Sequence, residues 1–338
     1  MNSYNRRNFI RMATLAGAGL GVAGSFESLY AKSSVLAGKR VGIIGLDTSH
    51  AVAFTKTLNA ADAPAEYAGY KVVAAYPKGS NDIKTSVDRI PGYTEDVKKL
   101  GVEIVGSIAD LLRKTDVILL ETNDGRLHLE QALQVFKARK PMFIDKPMAA
   151  SLADTNAIFT AAKKYNSPVF SSSSLRYMDG ISDVIEGKIG KVLGAETYSP
   201  AKYEKTHPDL FWYGIHGVEM LFAVMGPGCK TVTRVHTDDT DVVVGVWNDG
   251  RVGSFRGTRN GKSDYGARIF GEKKNITLGE FKGYNPLLQQ IVKFFETGQA
   301  PVRPEETIEI AAFMEAADES KAKGGCPVSM TGLLNKAK

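Results

Sequence analysis

Apolar and polar positions follow two rhythms along this chain, and the change between them falls near residue 175. From 40 to 174, short apolar runs lie at 41–44, 72–75, 103–105, 117–120, 142–144 and 169–171. Between them, at 50–59, 107–113, 128–138 and 152–164, apolar residues recur with helical spacing. Short strands separated by amphipathic helices predict βαβ units, and a succession of them predicts a doubly wound parallel sheet. Ser151 and Asp154 predict an N-terminal cap on the last of these helices. Beyond 175 the apolar runs lengthen, at 192–198, 230–237, 242–247, 252–257 and 268–270, and Asn248-Asp249-Gly250 is a hairpin turn between two of them. This spacing predicts an open, mostly antiparallel sheet, with helices at 285–297 and 304–323 closing the chain. The expected architecture is an α/β domain over 36–174 followed by an α+β domain over 175–338.

One apolar run fits neither rhythm. Asn5-Arg6-Arg7-Asn8-Phe9-Ile10-Arg11 precedes a glycine-rich apolar stretch over 12–24, the layout of a twin-arginine signal. Such signals are read by a machinery that exports folded proteins. The stretch is too short to span a bilayer and holds no cysteine for a lipid anchor. Residues 1–35 are therefore expected to be a signal segment, and the mature protein periplasmic or otherwise exported, without a stable membrane anchor.

Composition narrows the partners. The 338 residues suffice for two domains with real cores, and 43% hydrophobic with 24% charged residues is the balance of a globular chain. The net charge of +6 is partly Arg6, Arg7 and Arg11, and the remaining charges are interspersed, which argues against a nucleic-acid partner. Cys229 and Cys326 form no redox or metal motif and are expected to be buried free thiols, with a single disulfide between them as the alternative.

Ligands of a doubly wound sheet bind beyond the carboxyl ends of its strands. The first strand runs into Gly45-Leu46-Asp47-Thr48-Ser49-His50. A dinucleotide-binding turn has three glycines: one to turn, one to let the backbone approach a pyrophosphate, one to pack helix on strand. Gly45 is the first, and Asp47 and His50 replace the others. Asp47, Thr48 and Ser49 are good capping residues, and a capped helix N-terminus still holds phosphate, so the whole turn is a candidate cofactor segment. After the second strand, Tyr76-Pro77-Lys78-Gly79-Ser80 offers no acidic residue for a ribose, while Lys78 suits a 2′-phosphate, leaving NAD and NADP both open. After the fourth comes Glu121-Thr122-Asn123-Asp124-Gly125-Arg126-Leu127-His128, after the fifth Asp145-Lys146-Pro147, and after the sixth Ser171 to Ser174 with Leu175-Arg176-Tyr177. These clusters converge on one cleft. Arg126 and Arg176 point to a polar or anionic ligand. Asp47 and His50 have no third ligand at a recognisable spacing, so no metal is expected.

The order of these features is similar to that of the Gfo/Idh/MocA oxidoreductases: strand and turn, Thr122-Asn123…His128, Asp145-Lys146-Pro147, then a sheet domain with Trp212-Tyr213-Gly214-Ile215-His216 at a helix start. The closing run Glu305-Glu306-Thr307…Phe313-Met314-Glu315-Ala316-Ala317…Ser320 also resembles the family's C-terminal helix, and the resemblance covers nearly all the chain after the signal. It implies a Rossmann domain that binds NAD or NADP, with Thr122, Asn123, His128 and Asp145 on the cofactor. Asp145-Lys146-Pro147 matches a Glu-Lys-Pro motif whose lysine lies near nicotinamide and substrate hydroxyl. Trp212 to His216 matches D-x-G-x-H with the acid replaced by Trp212. Lys146 would then stabilise an oxyanion and His216 would act as general base. Arg126, Arg176, Tyr177, His207, Trp212 and Tyr213 are the candidate substrate contacts, and Glu219 a candidate to orient His216. Plainer readings stand beside these: Lys146 paired with Asp145, and Trp212 packed in a core.

The resemblance implies an exported oxidoreductase acting on a sugar or polyol, with a tightly held nicotinamide cofactor and a homodimeric or homotetrameric assembly through the open sheet. Two alternatives stay open at this point. One is redox-neutral glycosidase or lyase chemistry through transient sugar oxidation. The other is a non-catalytic ligand-binding protein on a dehydrogenase scaffold.

Overall fold

The strands of the first half are apolar on both faces, as strands covered by helices on each side must be. The computed structural model describes residues 39–336, so the expected signal segment lies outside the described residues. The first domain runs β1 (Arg40–Ile44), α1 (Ser49–Asn59), β2 (Lys71–Tyr76), α2 (Lys84–Lys99), β3 (Glu103–Ile104), α3 (Ile108–Lys114), β4 (Val117–Leu120), α4 (His128–Lys137), β5 (Met142–Asp145), α5 (Leu152–Tyr165) and β6 (Val169–Ser172). Its six strands are parallel in the order β3-β2-β1-β4-β5-β6, which confirms the doubly wound sheet. The carboxyl ends of β1, β4 and β5 are neighbours at the centre of one edge. Ser151 Oγ accepts from the Asp154 amide at 3.1 Å, the expected cap of α5. Helix α2 was not anticipated: Pro91 and Gly92 interrupt the stripe of Val87, Ile90, Tyr93 and Val97, of which only Val97 is buried.

The second domain runs α6 (Ile181–Ile185), β7 (Val192–Pro200), a π-helical turn (Leu210–Gly214), α7 (Ile215–Met225), β8 (Cys229–His236), β9 (Thr240–Trp247), β10 (Val252–Thr258), β11 (Gly266–Gly271), β12 (Asn275–Thr277), α8 (Asn285–Thr297), α9 (Pro304–Ala322), β13 (Val328–Ser329) and α10 (Met330–Lys336). The seven-stranded sheet is ordered β12-β11-β7-β10-β9-β8-β13 and is antiparallel except for the β7–β10 pair. The turn at Gly250, with φ of +85°, joins β9 to β10 as expected. One sheet face is covered by α7 and α9, through Val218, Leu221, Phe222, Phe313 and Ala316. Helix α7 is buried almost all round, so its sequence carries neither a strand nor a helix period.

Two expectations are corrected. Helix α8 lies beyond the expected boundary but packs on the first domain: Leu287, Leu288, Ile291, Val292, Phe294 and Phe295 join Val41, Phe54 and Phe170 in one core. Cys229 is buried but Cys326 is exposed, and both thiols are free. Among the described residues no helix is long and apolar enough to cross a membrane.

A buried ion cluster fixes β8 against α9. The Arg234 side chain is wholly buried, with Nε 2.8 Å from Asp241, Nη1 2.6 Å from Asp318 and Nη2 3.0 Å from Asp209. Removing the cation strands the Asp318 carboxylate, while Asp209 keeps Lys321 and Asp241 keeps Arg259. Arg234→Met is therefore expected to lower stability by about 3–5 kcal/mol, measured by denaturant unfolding. A loss below about 1 kcal/mol would show that the carboxylates relax into water.

Candidate active site

At the end of β1, Gly45 has φ of +88°, and a Cβ there would run into the backbone of Thr122. The first glycine thus does its expected work, bringing the turn against the β4 loop. The rest of the turn departs from expectation. Thr48 is the N-cap of α1, but no side chain caps the helix. Asp47 instead reaches sideways: Oδ1 accepts from the Asn123 amide at 3.0 Å and Oδ2 from the Ser80 amide at 3.3 Å. Its carboxyl is wholly buried, which raises its pKa, while those two amides act in the opposite direction. A Cβ on Gly79 would overlap the Asp47 carboxylate, so glycine lets the β2 loop lie directly over it. Leu46 is a core residue, and its amide donates to Pro77 at 3.2 Å. Ser49 lies 3.1 Å from the Tyr284 hydroxyl, and Lys78 stands exposed on the β2 loop.

Further links tie the β2 loop to the β4 loop. Ser80 Oγ donates to Asp124 at 3.0 Å, and Arg126 bridges Asp124 at 2.6 Å and Asp82 at 2.5 Å. His207, from the second domain, places Nε2 3.2 Å from Asp124 and stacks on Trp212 at 5.0 Å between centroids. Burial opposes the Asp124 charge, but hydrogen bonds from His207, Arg126 and Ser80 hold the carboxyl well below the usual range. Arg126, His207 and Trp212 were expected on a substrate; here Arg126 and His207 serve this clasp, with Trp212 stacked behind it.

The other end of the crevice carries the expected pair. Lys146, at the end of β5, has a side chain 12% exposed and Nζ 3.4 Å from Asp145. His216, in the first turn of α7, has Nδ1 2.8 Å from Ser173 Oγ. Burial, reinforced by the Lys146 ammonium, pushes its imidazole down to about 3. Tyr213 meets the His216 ring edge-on at 5.0 Å and shares a 2.9 Å hydrogen bond with Tyr265, whose ring also faces His216. Tyr265 was not anticipated and has no motif around it.

Four expected contacts lie elsewhere. Arg176 is buried between Glu219 at 2.7 Å and Glu306 at 2.5 Å, which satisfies its charge inside the protein. Glu219 accordingly pairs with Arg176, and Ser173 is what fixes His216. Tyr177 packs against the first-domain core. His128 is fully buried, with Nε2 2.6 Å from the Thr122 carbonyl and Nδ1 3.0 Å from that of Pro147; it holds the β4 and β5 loops together. Asp145 is also buried and faces His50, at 3.0 Å, with Glu121 beside them. The sequence spacing offered no third ligand next to His50, but the fold gathers three such groups.

Whether a dinucleotide suits this crevice divides along its length. Thr48 and Thr122 each bury a hydroxyl without a hydrogen-bond partner, and Lys146 and His216 stand ready at the far end, all of which suits a polar group. Asp47 stands where a dinucleotide-binding turn has its second glycine, and it engages the Ser80 and Asn123 amides, so this end does not suit a diphosphate as it stands.

Comparison with known proteins agrees with the fold. Residues 39–173 match the model of an oxidoreductase family described by its NAD-binding Rossmann fold. An uncharacterized oxidoreductase of Streptococcus pneumoniae is 24% identical over 153 residues, 40% of this chain and 41% of that relative's length. Scyllo-inositol dehydrogenase from Lactobacillus casei, solved with NAD(H) and scyllo-inositol, superposes with a TM-score of 0.68 at 15% identity, covering 86% of this chain and 99% of that one. An oxidoreductase from Agrobacterium radiobacter, solved with NAD+, L-tartaric acid and magnesium, gives 0.69 at 15% identity, covering 87% and 99%. The turn at Gly45 and the Lys146 loop agree with the family match: residues 39–173 are similar to the NAD-binding Rossmann domain of the Gfo/Idh/MocA oxidoreductases.

Proposed function

We propose that the protein is an exported oxidoreductase that acts on a hydroxyl of a sugar or polyol. The observation that carries this is the pairing of Lys146 and His216 from separate domains at one end of the crevice, with His216 buried and neutral. Gly45, Thr48, Thr122, Asn123 and Lys146 are the residues that would hold the nicotinamide dinucleotide, which supplies the hydride acceptor when bound. With Nδ1–H donated to Ser173, His216 Nε2 carries the lone pair and takes the hydroxyl proton. The Lys146 ammonium stabilises the negative charge left on oxygen. Tyr213 and Tyr265 form a wall with flat faces and hydroxyl edges, suited to a ring bearing hydroxyl groups. The scyllo-inositol seen in the Lactobacillus casei enzyme supports a polyol. The Arg6-Arg7 segment supports export, and the exposed Tyr198, Val246 and Val252 on the outer sheet face support a homo-oligomer.

The test is to mix the purified protein with NAD+ or NADP+ and panels of inositols and aldoses, following nicotinamide absorbance. Turnover is expected with at least one polyol or sugar. Because His216 is held at about 3, its imidazole stays neutral as pH falls through 6.5, and the rate should show no acid limb there. An acid limb near 6.5 that His216→Asn removes would overturn the neutral-base assignment. A second reading, a non-catalytic sugar-binding protein, is favoured by the Asp47 clasp. It predicts sugar binding without turnover, with the clasp closed or opened by substitution.

A further inference from the structure

We propose that His50, Glu121 and Asp145 form a binding site for one divalent transition-metal cation, of the zinc class, at the carboxyl edge of the parallel sheet. The three residues come from the β1–α1 turn and from the ends of β4 and β5, which are adjacent strands. One ligand atom from each lies within 4.8 Å of the others, and all three side chains are buried. His50 Nδ1 is 3.0 Å from Asp145 Oδ1 and 3.9 Å from Glu121 Oε2. Metal–ligand bonds of about 2.0–2.2 Å place tetrahedral ligand atoms roughly 3.3 Å apart, so the observed spacings bracket what a cation needs.

A second observation points to a ligand. Both carboxylate oxygens of Glu121 are buried without a hydrogen-bond partner, and Asp145 Oδ2 has the Lys146 ammonium and no hydrogen bond. Buried carboxylates are found paired or on a metal, because water no longer solvates them. The Lys146 ammonium, 3.4 Å from Asp145, supplies one positive charge to two carboxylates. A dication between the three side chains satisfies the Glu121 oxygens that Lys146 does not. Around the cluster, Tyr284 packs on the His50 ring at 4.2 Å and Phe54 at 5.6 Å, so the ligand is held in one orientation. An imidazole with two carboxylates suits Zn2+, Co2+ or Mn2+ better than the all-oxygen preference of Ca2+ or Mg2+. The site also gives a role to His50, which stands at the third glycine position of the turn and reaches the residues that follow β4 and end β5.

The inference does not depend on the proposed reaction, and its test needs neither substrate nor coenzyme. Purified protein is stripped with a chelator, incubated with Zn2+ or Co2+, desalted and analysed for metal per chain. About one equivalent is expected, with Co2+ giving d–d absorption and Zn2+ raising the melting temperature. Glu121→Gln and His50→Gln should weaken uptake at least tenfold, with circular dichroism confirming the fold, and His236→Asn should leave it unchanged. Should both site variants fail to fold, X-ray absorption on the cobalt-loaded wild type decides: one imidazole with oxygen ligands is expected. No uptake by the wild type, uptake unaltered by a folded site variant, or a cobalt shell without imidazole overturns the site. So does an infrared carboxylic-acid band from Glu121 that persists in saturating Zn2+.

Discussion

Replacing Lys146 with methionine is expected to lower kcat about 10²- to 10³-fold while the protein remains folded. Methionine keeps the length and apolar stem of lysine and deletes the ammonium, so the loss reads the charge rather than the packing. A cation placed where negative charge develops typically contributes that much to a rate, because it sits in a site with little water to compete. Lys146 ends a strand rather than filling a core, and Asp145 keeps its His50 contact when the ammonium is gone. The melting temperature should fall, because Asp145 and Glu121 lose a nearby cation, so the kinetics are read at a temperature where circular dichroism shows the variant folded. Steady-state kinetics on whichever polyol or sugar turns over, with a thermal melt of both proteins, checks both halves. Turnover within about threefold of wild type would remove Lys146 from the chemistry and leave it as a partner of Asp145.

The substitution also isolates what the sequence could and could not disclose. The positions of Lys146, just after β5, and His216, at the start of α7, were legible because each follows a short motif at the edge of a predicted element. The same holds for β4 and β5, whose apolar runs are continuous, and for α8, whose stripe is clean enough to give both ends. What was missed depends on distance. Asp47 beside Thr48 and Ser49 looks like a capping residue locally, and its acceptor role is set by amides 33 and 76 positions away. Arg176 follows a cleft-edge strand and so looked like a ligand contact, yet its carboxylates come from α7 and α9. Glu121 and Asp145 read separately as the residues that follow two strands, and only the strand order brings them to His50. Helix α8, correctly bounded, was assigned to the wrong core for the same reason: periodicity gives a stripe but not what it packs against.

The clasp over the crevice has arms of unequal strength. Arg126 and Asp82 are 32% and 57% exposed, and an ion pair so open to water contributes at most about 1 kcal/mol. The Asp47 arm is wholly buried, binds two amides in place, and puts a carboxylate where a dinucleotide-binding turn has its second glycine. Dinucleotide affinity should therefore respond to Asp47 far more than to Arg126.

Asp47→Gly is accordingly expected to tighten NAD+ or NADP+ binding about 10- to 100-fold, read by calorimetry or by quenching of tryptophan fluorescence. Two causes add. The substitution removes a negative charge which, at about 4–5 Å from a phosphate and an effective dielectric near 20, costs some 3–4 kcal/mol before screening. It also frees the Ser80 and Asn123 amides and restores the second glycine, through which a backbone approaches a pyrophosphate. The glycine's added freedom in the unfolded chain and the lost amide bonds act the other way, on stability, by about 1–2 kcal/mol. Asp47→Asn separates the causes, since it removes the charge and keeps the bulk: an intermediate gain shows that both matter, and a gain equal to that of glycine assigns the effect to charge. Affinity unchanged in both variants would mean that the clasp opens at negligible cost, and Asp47 would then be a loop fastener with no bearing on cofactor uptake. Affinity lowered in both would reverse the sign of the argument and place the carboxylate among the groups that hold the dinucleotide, through a ribose hydroxyl rather than a phosphate.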